Sequence, residues 1–226
     1  MNRSIPVGQY TLNTSNPCSA DEELRRQPVY LGDVTVMFNP WSAQWDKDDT
    51  RIRKQTTSNV DQIMFNEYLH NNYGFIWRAT AGLIWDYAVG SLVVTQATNA
   101  LMQLIPPAER ANPVLYSRTL TQLIGNRVLQ GRWDGQYSDG VDPTQWVGSQ
   151  PILTIWLNTD QPVRYGQCWV FAAILTTILR ASGIPARTVT NYRSHHDRGL
   201  TDNRMAVLRQ YDNKVQPDEP TWNYHV

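Results

Sequence analysis

The sequence predicts an α+β fold, and three observations carry that prediction. An apolar-periodic helix between Gly166 and Gly183 is followed by β-rich stretches, the order expected of a helix laid against an antiparallel sheet. Apolar residues fill 41% of the 226 positions and charged ones only 18%, which supports a core and argues against wholesale disorder. Twenty Lys and Arg balance twenty Asp and Glu, so a net charge of +0 gives no electrostatic reason to seek nucleic acid or anionic lipid. Nine Trp and eleven Tyr suit cores, and also the walls of substrate channels. Cys18 and Cys168 are too few for a disulfide framework. The start does not resemble a signal peptide, and the longest apolar run, near Val170 to Leu179, is too short to span a bilayer. The expectation is a soluble cytoplasmic protein with no transmembrane segment and no nucleic-acid partner.

Taken in order, Gln9 to Leu12 and Val34 to Phe38 read as strands, with Asn16-Pro17 as a turn between them. Two strands alone make no stable domain, so residues 1–40 read as the end of an N-terminal β-sandwich domain or as edge strands of the main one. A charged stretch through Asp46 to Asp49 reads as loop. From Val60 the spacing turns helical, with Ile63, Met64, Tyr68 and Leu69 on one side, and Gly74 to Trp77 reads as a short strand. Helices are expected over Ala88–Leu104 and Val114–Leu129, divided by Pro106-Pro107. Arg132 to Gly148 reads as a structured loop. The helix from Gly166 ends at a glycine cap, Gly183, followed by the stop Ile184-Pro185. Ala186–Tyr192, Met205–Tyr211 and Thr221–Val226 read as strands.

Cys168 opens the clearest helix. A thiol there meets free backbone N–H groups and the positive end of the helix dipole, which favour the thiolate nucleophile; a buried core cysteine is the competing reading. A cysteine nucleophile needs a histidine brought near in space. His70 reads as solvated surface, and His195 and His196 as a polar loop after a strand. His225 shares a strand face with Asn223, opposite Trp222 and Tyr224. A histidine strand beside a helix that starts with cysteine is the geometry of papain-like enzymes.

The run Val163-Arg164-Tyr165-Gly166-Gln167-Cys168-Trp169-Val170-Phe171-Ala172 resembles the active-site signature of the animal-type transglutaminases, the protein-glutamine gamma-glutamyltransferases. Leu179 to Tyr192, with Ser194-His195-His196-Asp197, is similar to the segment that follows it in the family. Gly131-Arg132-Trp133-Asp134, Trp146-Val147-Gly148-Ser149, Trp222-Asn223-Tyr224-His225 and Phe38-Asn39-Pro40-Trp41 also resemble family segments. The resemblance is strongest from Gly131 onward and loose between Asp46 and Leu129. It implies a papain-like catalytic core over residues 41–226, with Cys168 as nucleophile and His225 as general base. It also implies that the indole N–H of Trp146 and the N–H of Cys168 hold the oxyanion, and that Trp222 walls the amine channel. Gln167 and Trp169 are expected at the substrate-binding surface as positioning and packing residues, with Phe171 behind them.

Departures from the family pattern are equally specific. The family's third triad member, an aspartate beyond the histidine, and its two following β-barrels have no counterpart before Val226, so the chain reads as a core cut off after the histidine strand. Calcium is possible by resemblance, but Asp197 is the one surviving candidate ligand, with Gly199 and Thr201 where oxygens are expected. No organic cofactor is implied. The implied activity is acyl transfer from protein glutamine to lysine or another primary amine through a cysteine thioester. A non-catalytic scaffold or interaction module is the alternative, and a papain-like protease a third reading.

Overall fold

The computed structural model describes residues 7–15, 28–38, 67–78, 81–195 and 221–226. The expected turn with Cys18, the Asn39-Pro40-Trp41 segment, the loop at 46–49, most of the helix from Val60, His196, Asp197, Gly199, Thr201 and the 205–211 strand lie outside the described residues. So do the side chains of His195 and Trp222.

Strand β1 (Gly8–Ser15) pairs antiparallel with β2 (Pro28–Val36), with a register shift between Leu12 and Asn13. The ribbon is anchored at both ends. Val7, which is buried, donates its N–H to the Arg110 carbonyl (3.2 Å), and the Phe38 N–H donates to the Ser182 carbonyl (2.9 Å). The Phe38 ring meets Tyr116 edge-on at 5.1 Å. Strands β3 (Tyr73–Arg78) and β4 (Ala81–Asp86) form a second antiparallel pair. Its period-2 alternation buries Ile76 and leaves Tyr73, Phe75 and Trp77 exposed.

Helix α1 (Leu92–Leu104) begins where Ser91 accepts a hydrogen bond from the Val94 N–H, and buries Val94, Ala97, Thr98, Leu101 and Met102, one stripe at helical spacing. Helix α2 (Pro113–Leu123) is capped by Asn112, with Pro113 in the first turn, where a missing N–H costs nothing. The helix expected to run on to Leu129 instead widens at Leu123 into a π-turn, Ile124–Val128, and Leu129 opens strand β5 (Leu129–Gly131). Helix α3 (Ser149–Thr159) was not foreseen from the sequence. Strand β6 (Val163–Gly166) pairs parallel with β5 and leads directly into helix α4 (Cys168–Ala181).

Helix α4 has its apolar spacing and its stop signal where the sequence placed them. The Gly183 N–H bonds to the Arg180 carbonyl and the Ile184 N–H to the Leu179 carbonyl, the paired arrangement that needs a left-handed residue after the cap. Gly183 supplies it with φ +85°. The segment expected as strand from Ala186 has other uses for its backbone. The Ala186 N–H goes to the Tyr68 carbonyl and its own carbonyl takes the Arg180 Nε, so ladder pairing starts only at β7 (Asn191–His195), antiparallel to β8 (Thr221–His225).

The architecture is mixed helix and strand. Among the described residues the strands form four two-stranded pairs, three antiparallel and one parallel. Among the described residues the main neighbours of α4 are α1, α2, α3, the π-turn and β6. Val170, Ala173, Ile174 and Ile178 of α4 are fully buried among them. A short polar relay crosses this core: Trp85 Nε1 donates to Ser149 Oγ (2.9 Å), which contacts Thr177 Oγ1 (2.6 Å), which donates to the Ala173 carbonyl (2.9 Å). Each buried polar atom in the relay has a partner, so it ties β4, α3 and α4 together without a desolvation penalty left over. No helix among the described residues is long and apolar enough to cross a membrane.

Candidate active site

Cys168 is the first residue of α4 and half-buried, a free thiol. Gly166 lets the Leu129 side chain pack against the backbone just before the nucleophile: a Cβ there would collide with it. Burial pushes the Cys168 thiol above its ordinary value, while the backbone N–H groups of Val226, Trp169 and Cys168 itself pull it down less strongly. The expectation of a net lowered thiol pKa is corrected on that ground, because the helix start favours the thiolate and desolvation outweighs it.

Strand β8 and the residue after it approach the thiol. Tyr224 and Val226 are half-buried and pack, like Cys168, against the hydrophobic core. The Tyr224 phenol is raised first by burial and then by the charge of Cys168, with Arg78 opposing. His225 falls between these two residues on the alternating strand, opposite Asn191, and is exposed. The structure thus sets β8 beside Cys168, with Tyr224 half-buried and the His225 imidazole exposed. Trp222 pairs with Ser194 across the same ribbon.

Trp146 is 7% exposed, and its indole Nε1–H donates to the Tyr165 carbonyl at 2.8 Å. The donor expected to face an oxyanion is engaged within the protein. Gln167 does not cap α4 with its side chain; its Nε2 donates to the Arg132 carbonyl (3.0 Å) and to the Tyr137 hydroxyl (2.9 Å), so it fastens the preceding loop. Trp169, expected at the substrate surface, is 4% exposed and sits in the core with the Arg78 guanidinium 4.9 Å above its ring. Its place is packing. Phe171 is partly buried against the same core. His70 is exposed.

A polar frame that the sequence did not single out stands beside the helix start. Tyr165 Oη donates to Asp139 Oδ2 (2.8 Å) and accepts from Arg132 Nη1 (2.7 Å). Arg132 Nη1 and Arg164 Nη1 reach the two oxygens of Asp139 at 2.9 and 3.1 Å. The Asp139 carboxyl is held below its usual range, first by the Tyr165 hydroxyl. The signal for it in the sequence is the density of Arg, Asp and Tyr between Arg132 and Asp139.

Residues 142–226 match the model of the transglutaminase-like superfamily. The chain is similar to mouse protein-glutamine gamma-glutamyltransferase 5, 34% identical over 219 residues that cover 87% of this chain and 28% of the relative. Residues 142–226 form a transglutaminase-like domain. Human protein-glutamine gamma-glutamyltransferase K is likewise 34% identical, over 100% of this chain and 27% of its own length. In three dimensions the chain is similar to the crystal structure of red sea bream transglutaminase, with TM-score 0.71 and 29% identity over 97% of this chain and 34% of that one. It spans between a quarter and a third of the length of these relatives.

Proposed function

We propose that this protein is a protein-glutamine gamma-glutamyltransferase core that forms isopeptide bonds by acyl transfer through Cys168, on a papain-like arrangement of α4 and the β7–β8 ribbon. The single observation that carries the reading is the half-buried free thiol at the first turn of α4, met by backbone N–H donors and by the strand of His225. The names of the relatives agree with it.

In this reading the Cys168 sulfur attacks the carboxamide carbon of a protein glutamine after losing its proton to a base. The C–N bond breaks, ammonia leaves with a proton, and a thioester remains. A lysine or other primary amine then attacks the thioester and returns the thiol. Because burial holds the thiol protonated, a general base is required, and His225 is assigned to it by turning its imidazole inward from the exposed side. Trp146 serves the oxyanion by exchanging the Tyr165 carbonyl for the developing charge. Gln167 acts by holding the loop before the nucleophile, and Trp222 lines the amine side. A calcium requirement is a separate question. Among the described residues no three His, Cys, Asp or Glu side chains converge to hold a metal, Asp197 lies outside them, and no step is routed through one.

A second reading has its own observation. An exposed imidazole, an engaged indole and a thiol raised by burial are also what a non-catalytic scaffold would show. A chloroacetamide-type glutamine mimic together with a fluorescent primary amine separates the two. An enzyme labels at Cys168 and incorporates the amine into a glutamine peptide; a scaffold does neither.

A further inference from the structure

Tyr165 is 3% exposed and joins both sides of the candidate site through different atoms. Its carbonyl accepts the Trp146 indole N–H at 2.8 Å, and its N–H donates to the Val141 carbonyl at 3.1 Å. Its hydroxyl is gripped between Arg132 and Asp139, and the Arg132 guanidinium also lies 4.8 Å over its ring. Along the chain it stands three residues before Cys168, separated only by Gly166 and by Gln167. Gln167 in turn holds the Arg132 carbonyl, and the Arg132 N–H donates to the Gly166 carbonyl at 3.2 Å. The frame therefore closes on itself: the loop that grips the Tyr165 hydroxyl is fastened to the peptide leading into α4.

We propose that Tyr165 is a positioning residue of the active site, and that the Asp139–Arg132 pair, by fixing its hydroxyl, sets where the Trp146 indole stands relative to the Cys168 sulfur. This deepens the acyl-transfer reading and rests on it for the coupling measurement alone. Tyr165 touches no reacting atom; it acts through Trp146 and through the start of α4. A buried ring held from its far end has little freedom to turn, so its carbonyl parks the indole in one place until the N–H passes to the developing oxyanion. When the hydroxyl loses its grip, the backbone from 164 to 167 gains freedom, and misplacement of reacting groups by about 1 Å costs up to about a hundredfold in rate. Asp139 is the sensitive member, because one carboxylate accepts from Arg132, Arg164 and Tyr165 together, and an amide in its place accepts through one oxygen only.

The experiment uses the full chain with Cys18 replaced by Ser, and compares Tyr165→Phe, Asp139→Asn and the double variant with Asp160→Asn as control. Asp160 pairs with Arg127 on the exposed surface, 3.7 Å apart and away from this frame. Two quantities are read per folded molecule: kcat and KM for coupling of a glutamine peptide to a fluorescent amine, and the second-order rate of Cys168 alkylation by iodoacetamide. The expected result is kcat lower by about ten- to a hundredfold, KM within about twofold, alkylation slowed several-fold, and the double variant no worse than the worse single one, as for residues acting as a unit. The control keeps both rates. If Tyr165→Phe and Asp139→Asn lower only the unfolding temperature and leave both rates intact, the frame is structural and the proposal is wrong. If the parent couples no glutamine, the acyl-transfer reading falls by itself, and the alkylation rates still decide whether Tyr165 positions the thiol. Should Tyr165→Phe fail to fold, Asp139→Asn, at a half-exposed carboxylate, carries the decision alone.

Discussion

Where α4 begins, Gln167, Tyr165 and Arg132 knit three neighbouring segments together with hydrogen bonds of 2.7–3.0 Å; where β8 lies, one antiparallel partner and two half-buried side chains hold the strand of His225. The thiol's surroundings are assembled from residues 129–184, largely local in sequence, and the polar atoms there answer one another. The histidine's surroundings depend on a strand docked from far along the chain, whose imidazole is exposed. Local contacts cost little loop-closure entropy and resist local opening, whereas pairing across a long connection costs more. The thiol side is the locally braced half of the site. The histidine side is the half built from distant pairing.

The largest test of this contrast is removal of the thiol. Cys168→Ala should abolish glutamine–amine coupling while Cys18→Ala leaves it intact; coupling that survives in Cys168→Ala would end the thioester mechanism. Next comes the histidine side. His225→Asn should lower coupling by about 10²-fold or more, the range of a general base, yet shift stability by no more than about 0.5 kcal/mol, since the side chain is exposed. Thermal unfolding beside the rate assay checks both, and full activity in that variant would place the base elsewhere.

Trp146→Phe keeps the aromatic bulk and loses the donor. About 10²-fold in kcat is expected if the indole serves the oxyanion. Loss of stability without loss of kcat would mean that the bond to Tyr165 is its whole purpose. A gentler probe is titration of the thiol. Since burial raises Cys168 above its ordinary 9.0, the alkylation rate of the Cys18→Ser protein should still be climbing at that pH. The sign carries over to stability. A thiol raised in the folded state favours folding at lower pH, and that advantage is lost as pH rises through the folded value. An alkylation midpoint below 9.0 would show that the helix start prevails over burial. The smallest effect lies in the locally braced half. Tyr116, fully buried and bonded to Ser182 Oγ at 2.7 Å, is pushed up to about 12. Tyr116→Phe should cost about 1 kcal/mol in denaturant unfolding, and should remove the part of stability lost as pH rises from 10 toward 12.

The sequence was most legible where one element carried several agreeing signals. Helix α4 has an apolar stripe, a glycine in the left-handed position after its cap and a proline beyond, and it falls within two residues of its expected bounds. Helix α3 carries Pro151 in its first turn, where a proline removes only an N–H that has no helical partner. Ala186 to Thr190 has strand composition but gives its hydrogen bonds to Arg180, to the Tyr68 carbonyl and, through the Thr190 hydroxyl, to the Trp77 carbonyl. For the candidate site, Cys168 stands at a helix start and His225 on a strand, as the sequence reads. Which face of β8 meets the thiol depends on pairing with β7, a long-range matter on which one residue of register reverses every side chain. Trp169 illustrates the same limit: adjacency to a nucleophile does not say whether a ring lines a surface or fills a core.

Gly183 links these halves to the start of the chain. A side chain there would collide with the Phe38 carbonyl, so the end of the β1–β2 ribbon lies directly against the cap of α4. The helix between that seat and Cys168 has 14 residues and is about 21 Å long. A pull on the ribbon would thus be transmitted along the axis of a stiff rod to the thiol, whereas a pull on β8 would peel a ribbon one hydrogen bond at a time. Under tension the N-terminal ribbon would behave as a shear joint and the histidine strand as a zipper, with rupture expected first at the strand that carries His225.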